Sequence, residues 1–283
     1  MPPEIIDTHP HIIARDIDRY PPAPIRGQQS EWSKERPLTF EELVAQMDEA
    51  GVAKAAIVQA STYYGFDNSY VADCIATDPH RFAGVYSVDV MSLDAIPVIK
   101  GWMKRGLGGL RLFTAGSVHA AEVDWLDDPK TFPAWEFAAE TGLSICIQTT
   151  APGLPKVRAL LERFPRTKVI LDHLGRPKLD DGPPYADARP LFDLAAFSNL
   201  YLKISPRTFA LAKMGKSTPD AFFGKLVAAF GADHILFGSN LPANEGPLSN
   251  IVAEAKECLA SLSEADRAMI LSGAAKGLYT ALR

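Results

Sequence analysis

Short runs of β-branched and aliphatic residues alternate along the chain with longer segments in which apolar side chains recur every three to four positions. This alternation predicts strand–helix units laid on a parallel sheet, not an antiparallel sandwich. The strand candidates are Ile5–His9, Ala55–Ala60, Phe82–Val88, Gly109–Phe113, Leu143–Gln148, Val169–His173, Leu200–Ser205 and His234–Gly238. Several read as unbroken hydrophobic runs, as strands covered on both faces do. Helix signals lie between them. Thr39 and Glu42 have capping-box spacing ahead of Leu43, Met47 and Ala50, and Gly51 supplies the stop. A second helix is expected from about Thr131 to Gly142. A carboxy-terminal one should open at Ser263, with Asp266 three residues on and Met269, Ile270 and Leu278 packed inward.

Eight such units in 283 residues match the span of one α/β barrel. The expected fold is therefore α/β, a (β/α)8 TIM barrel, with residues 1–283 as a single domain. Two stretches break the alternation: residues 12–38, with PPAP at Pro21–Pro24, and residues 176–190, rich in Pro, Asp and Gly. They follow strands 1 and 6, which on a barrel places them over the face where catalytic groups gather, as lid-like insertions.

Composition narrows the partners. A formal net charge of −5 leaves no global basic field, which argues against nucleic acid and against an anionic membrane surface. No 18-residue uncharged apolar stretch occurs, and the amino terminus lacks the basic-then-apolar pattern of a secretion signal. Cys74, Cys146 and Cys258 are far apart, without metal-finger spacing, and read as free thiols. A cytoplasmic location is expected, and the sequence is compatible with a homo-oligomer.

Candidate chemistry sits at strand ends. Asp7-Thr8-His9-Pro10-His11 closes the first strand, and period-2 geometry turns both imidazoles to one face, where they could share a metal or polarise one substrate oxygen. Asp172-His173-Leu174-Gly175-Arg176 closes the sixth, with a glycine that lets backbone approach a ligand. Phe237-Gly238-Ser239-Asn240 closes the eighth, where Asn240 can donate and accept hydrogen bonds but cannot take a proton; the plain alternative is an asparagine satisfying its own turn. His80 reads as surface, His234 begins a strand on the opposite face, and His119 is ambiguous.

Cations gather near the same mouth: Arg15, Arg19, Arg111, Arg176, Lys178, Lys203 and Arg207. Guanidinium forks suit a small anionic substrate, although Arg15, Arg19 and Arg207 could equally be solvated loop residues. Arg111 interrupts an apolar strand, where an unpaired charge would be costly. Tyr63, Tyr64, Asn68, Thr149 and Thr150 follow strand ends and could orient substrate oxygens, while Trp32 could cover the pocket or simply anchor its loop.

The strings DTHPH, GGLRLF, VILDHLGRP, LYLKIS and FGSNLP, in this order, resemble the amidohydrolase-2 family of TIM-barrel hydrolases, over nearly the whole chain. Within it the resemblance is to the branch of 2-pyrone-4,6-dicarboxylate and sulfomuconolactone hydrolases, which open carboxylated lactones. It implies that His9, His11 and His173 form the site, that Arg111 and Lys203 hold the family's fourth-strand arginine and seventh-strand lysine positions, and that Asn240 takes the place of a catalytic aspartate. Arg176, Gln148 and Tyr63, read from their own places near strand ends, are expected to bind substrate with Arg111 and Lys203. Gln148 stands where metal-dependent members carry histidine, and Ala274 where the last helix commonly has asparagine. The departures at Gln148 and Asn240 argue against a binuclear centre, leaving either no cofactor or one divalent ion, zinc first, on His9, His11 and His173.

The expected reaction is hydrolysis of a small carboxylated lactone or related cyclic ester. With Asn240 unable to act as base, the candidates are His173, a metal-bound hydroxide, Glu245 or Asp172. The rivals are a non-oxidative decarboxylase or hydratase of an unsaturated or aromatic acid, and a non-catalytic barrel that binds an acid.

Overall fold

The computed structural model describes residues 4–115 and 124–283; His119 lies outside them. Eight parallel strands run in sequence order around one sheet: β1 (Ile6–Asp7), β2 (Lys54–Val58), β3 (Phe82–Ser87), β4 (Leu107–Phe113), β5 (Ser144–Gln148), β6 (Val169–Asp172), β7 (Leu200–Ile204) and β8 (Ile235–Phe237). Every predicted strand is present, with ends shifted by two residues at most. β1 is shorter than expected because its backbone turns to other partners. Thr8 donates from N and Oγ1 to the Phe237 carbonyl (3.0 and 2.7 Å), and Ser239 N donates to Asp7 Oδ1 (2.8 Å). These bonds join β8 to β1 and close the barrel.

Successive residues of each strand face opposite sides. Ile57, Tyr86, Ile145, Leu171 and Leu202 pack outward against the helices, while Val58, Val85, Cys146, Ile170 and Leu236 fill the interior. Ala274, Leu278, Tyr279 and Leu282 plug that interior from the amino-terminal end of the strands. The opposite end is left to polar groups.

The capping box at Thr39 and Glu42 forms as predicted and opens the helix Phe40–Ala50, which stops at Gly51. The second expected helix spans Phe132–Thr141, and Ser263 caps the carboxy-terminal one by accepting from Asp266 N at 3.1 Å. Ile270 and Leu278 pack inward, but Met269 is exposed. The helix widens into a π-turn over Met269–Gly273, which breaks the simple 3.6-residue register. Among the described residues no helix is long and apolar enough to cross a membrane.

Candidate active site

A layer of buried charge crosses the upper barrel. Arg111 on β4, Asp172 on β6 and Lys203 on β7 occupy inward positions, and Asp172 and Lys203 are direct register partners. Lys203 Nζ lies 2.9 Å from Asp172 Oδ1, Arg111 Nε lies 3.2 Å from Oδ2, and His9 Nδ1 approaches Oδ1 at 3.5 Å. Burial alone would raise the pKa of Asp172, but these neighbours, Lys203 foremost, hold it well below the usual carboxylate range. Asp172 is thus a fixed anion.

The three histidines pack around one point. The His9 ring meets His11 edge-on at 5.0 Å and His173 at 4.8 Å between centroids. Burial pushes the His11 and His173 pKa down to about 3 and that of His9 well below its ordinary value, so all three are neutral imidazoles. Hydrogen bonding fixes one tautomer. His11 Nδ1 lies 2.7 Å from the Val58 carbonyl, which can only accept, so Nδ1 carries the proton and Nε2 presents a lone pair. His173 Nδ1 is held by Ser205 Oγ at 2.8 Å, which can act in either sense.

The loop after β6 is backbone-strained. His173, Leu174, Gly175 and Arg176 all have positive φ, from 53° to 66°, a left-handed turn in which only the glycine is at ease. Each non-glycine residue there costs roughly 1–2 kcal/mol, a strain of the kind found where side chains must be aimed. Here it turns His173 and Arg176 to the same chamber. Gly238 serves the opposite wall: a Cβ there would come within 2.6 Å of His9 Cβ.

That chamber, of about 130 Å³, is lined by His11, Trp32, Arg111, Gln148, His173, Arg176, Arg207 and Asn240 together with Thr62 and Asn244. His9 and Lys203 lie beneath it, engaged with Asp172. Tyr63 is packed among Tyr64, Ile13 and Ala60 and does not line it. Neither do Asn68, which binds the Ser87 backbone, nor Thr149 and Thr150. Of the cations, Arg15 and Arg19 pair outward with Glu42 and Asp73, and Lys178 is exposed elsewhere. Trp32 stacks on His11 at 5.4 Å between centroids, and Ser30 Oγ, shared between Ser33 Oγ and Thr62 Oγ1, ties its loop to the end of β2. From the second insertion only Arg176 reaches the chamber; Tyr185 and Gly182 pack its remainder against Ser217 and Lys216.

Two candidate bases are accounted for by their surroundings. Asp172 is shielded beneath three cationic or imidazole partners, and Glu245 is exposed, pairing with Arg36 at 3.2 Å. Asn240, at φ 53°, donates from Nδ2 to Asn244 Oδ1 at 2.7 Å, which leaves its own oxygen as an acceptor. Asn244 and Ser205 were missed in the sequence. Asn244, four residues beyond Asn240 in the turn that follows β8, had a signal in its spacing; Ser205 had only its place at the end of the lysine strand.

The imidazoles are chemically suited to a divalent ion, but their arrangement is not. Arg111 Nη2 stands 3.5 Å from His9 Nε2 and bonds the Gln148 side-chain oxygen, while His9 Nδ1 faces Asp172. Both nitrogens of His9 therefore have neighbours, one of them a cation. Among the described residues no cluster of His, Cys, Asp and Glu is placed to hold a metal ion.

The amidohydrolase family model matches residues 6–280. The chain belongs to the amidohydrolase family. As a member it is a hydrolase, and its (β/α)8 barrel recurs in solved relatives. It is 26% identical over 243 residues to an L-fucono-1,5-lactonase from Burkholderia ambifaria, covering 84% of this chain and 80% of that one. A provisionally assigned 2-pyrone-4,6-dicarboxylic acid hydrolase from Pseudomonas putida superposes with a TM-score of 0.78 at 20% identity, covering 99% of each chain. An amidohydrolase from Burkholderia multivorans with bound zinc superposes at 0.77, with 20% identity over 98% of this chain and 99% of that one.

Proposed function

We propose that this amidohydrolase-family protein hydrolyses the ring ester of a carboxylated lactone, with His11 as general base. The observation that carries the reading is the joining, in one chamber, of an imidazole lone pair of fixed tautomer with three guanidinium groups, Arg111, Arg176 and Arg207. A carboxylated lactone needs both: a cationic hold for the carboxylate and developing oxyanion, and an acceptor for the proton of water. The lactonase and pyrone-dicarboxylate hydrolase relatives point to the same chemistry.

In this mechanism Arg176 and Arg207 hold the carboxylate at the rim. Arg111, steadied by Asp172 and Gln148, faces the carbonyl oxygen. Asn240 accepts from the attacking water through Oδ1 and so orients it, while His11 Nε2 takes the proton. A pKa near 3 makes His11 a ready but weak base; a bound anion raises it by opposing the nearby positive charge. The imidazolium formed at His11 then returns that proton to the leaving alkoxide as the ring C–O bond breaks, so the water's two protons end on the new carboxyl and hydroxyl groups. Neutral His173, held by Ser205, only positions the leaving oxygen. Lys203 acts from below, fixing Asp172. Because Arg111 stands against His9, no step is assigned to a metal.

A pH-indicator screen of carboxylated lactones, run with and without prior chelation, tests this. Proton release that survives chelation is expected. Carbon dioxide release from unsaturated or aromatic acids instead would favour the decarboxylase reading, and binding without turnover would favour an acid-binding barrel.

A further inference from the structure

The polar chamber is too small to be the whole site. At about 130 Å³ it falls below the roughly 300–1,000 Å³ of ordinary small-molecule pockets and has room for about four waters at their liquid volume of roughly 30 Å³ each. A second compartment of about 500 Å³ lies beside it over β3 and β4, and the two share Arg111 and Phe113 as common lining. Both residues point inward from β4 two positions apart, with the Arg111 guanidinium 5.2 Å from the Phe113 ring centroid.

The second compartment has a different character. Pro24, Val88, Val90, Met91, Phe113 and Trp125 supply apolar lining, with Arg26 and Asp89 among the polar residues. Val88 and Val90 are buried, although they follow the end of a strand on the catalytic face. Open apolar lining beside a reaction chamber is the usual means of binding an uncharged part of a ligand.

We infer that the substrate is a carboxylated lactone bearing an apolar arm, an alkyl chain or aryl ring, which lies over β3 and β4 while the ring ester reacts beside His11. The inference rests on the lactone-hydrolase reading and deepens it. Arg111 sits at the junction, so a ligand anchored there reaches both compartments at once. A compact polyhydroxylated lactone would leave the apolar compartment to water and gain nothing from it. An arm that displaces that water gains affinity in proportion to the apolar area it buries.

The test separates the arm from the chemistry. Calorimetric titration of the protein with propionate and with its phenyl-substituted homologue, 3-phenylpropionate, reads the compartment without turnover. The phenyl acid should bind at least tenfold more tightly, with a more negative heat-capacity change. Met91→Trp, which fills the compartment from its half-exposed edge, and Met91→Ala, which removes part of its lining, should both bring the affinity ratio towards one. Equal affinities in the unsubstituted chain would overturn the inference, as would a ratio untouched by both substitutions. Turnover is then measured on two carboxylated lactones that differ only in a phenyl arm. A lower KM for the arylated lactone supports the full proposal, and equal kcat/KM contradicts it while leaving the hydrolase reading in place. A phenyl affinity gain with no lactone turnover would sink that reading, and with it the substrate named here.

Discussion

Lys203 Nζ and Asp172 Oδ1 stand 2.9 Å apart with both side chains wholly shielded from solvent. Adjacent parallel strands bring them together, and Arg111 and His9 complete the cluster. The pair supplies a fixed field beneath the chamber rather than a contact with its contents. Removing Lys203 takes the nearest cation from the buried Asp172 carboxylate and leaves Arg111 as its remaining cationic partner, at a cost of about 3–5 kcal/mol. Lys203→Met should therefore lose that much in urea unfolding, and Lys203→Met with Asp172→Asn should lose less than the single substitution.

Stability should also report the buried imidazoles. His11 and His173 have folded pKa values near 3 against an ordinary 6.5, so between these values the unfolded chain binds more protons than the folded one. Stability is then fully present above about pH 6.5 and is lost progressively as pH falls towards 3. Asp172, held low by its partners, adds to the loss below its ordinary 3.8, whereas Asp7, raised by burial, works in the opposite direction. His173→Gln should flatten the slope of melting temperature against pH between 4 and 6.5. An unchanged slope would show that His173 is not buried neutral.

Gly238 is required by proximity. Its added Cβ would lie 2.6 Å from His9 Cβ, and the neighbouring Lys203 Cδ leaves little room to yield. Gly238→Ala should displace His9 from Asp172 and lower both Tm and turnover, the second by at least tenfold. Full activity in the alanine variant would mean that His9 has no fixed place.

The two rim arginines should act on binding more than on chemistry. Truncating Arg176 removes one carboxylate anchor while Arg207 remains in the chamber lining. Arg176→Gln is expected to raise KM for a carboxylated lactone about 10- to 100-fold, in line with about 1.5–3 kcal/mol for a hydrogen bond to a charged group. Its kcat should change little. The methyl ester of the same lactone should show a far smaller effect.

The barrel was legible because each strand is a compact apolar run and each major loop begins at a run's end. His9, His11 and His173 were legible for the same reason, since they terminate strands that converge on one face. Asp172 was harder to judge. Sequence offered it as a base, but its partners come from three other elements, and only their convergence makes it a structural anion. Tyr63, in the helical turn after β2, and Lys203, near the end of β7, are both close to strand ends in sequence, yet one packs into an aromatic cluster and the other beneath the chamber. The left-handed turn at His173–Arg176 carries no sequence signal beyond Gly175, because backbone strain is imposed by what surrounds it. The tautomer of His11 was equally invisible, being set by a carbonyl 47 residues away.

The most direct measurement is kcat on a carboxylated lactone for His11→Asn beside Asn240→Asp. With His11 Nε2 as the base, His11→Asn should lower kcat by about 10²–10⁴, the usual contribution of general-base catalysis. Asn240→Asp should bring no gain, because its carboxylate competes with the substrate for the same guanidinium groups. Unchanged turnover in His11→Asn, together with a large gain in Asn240→Asp, would contradict the account and place the base at position 240.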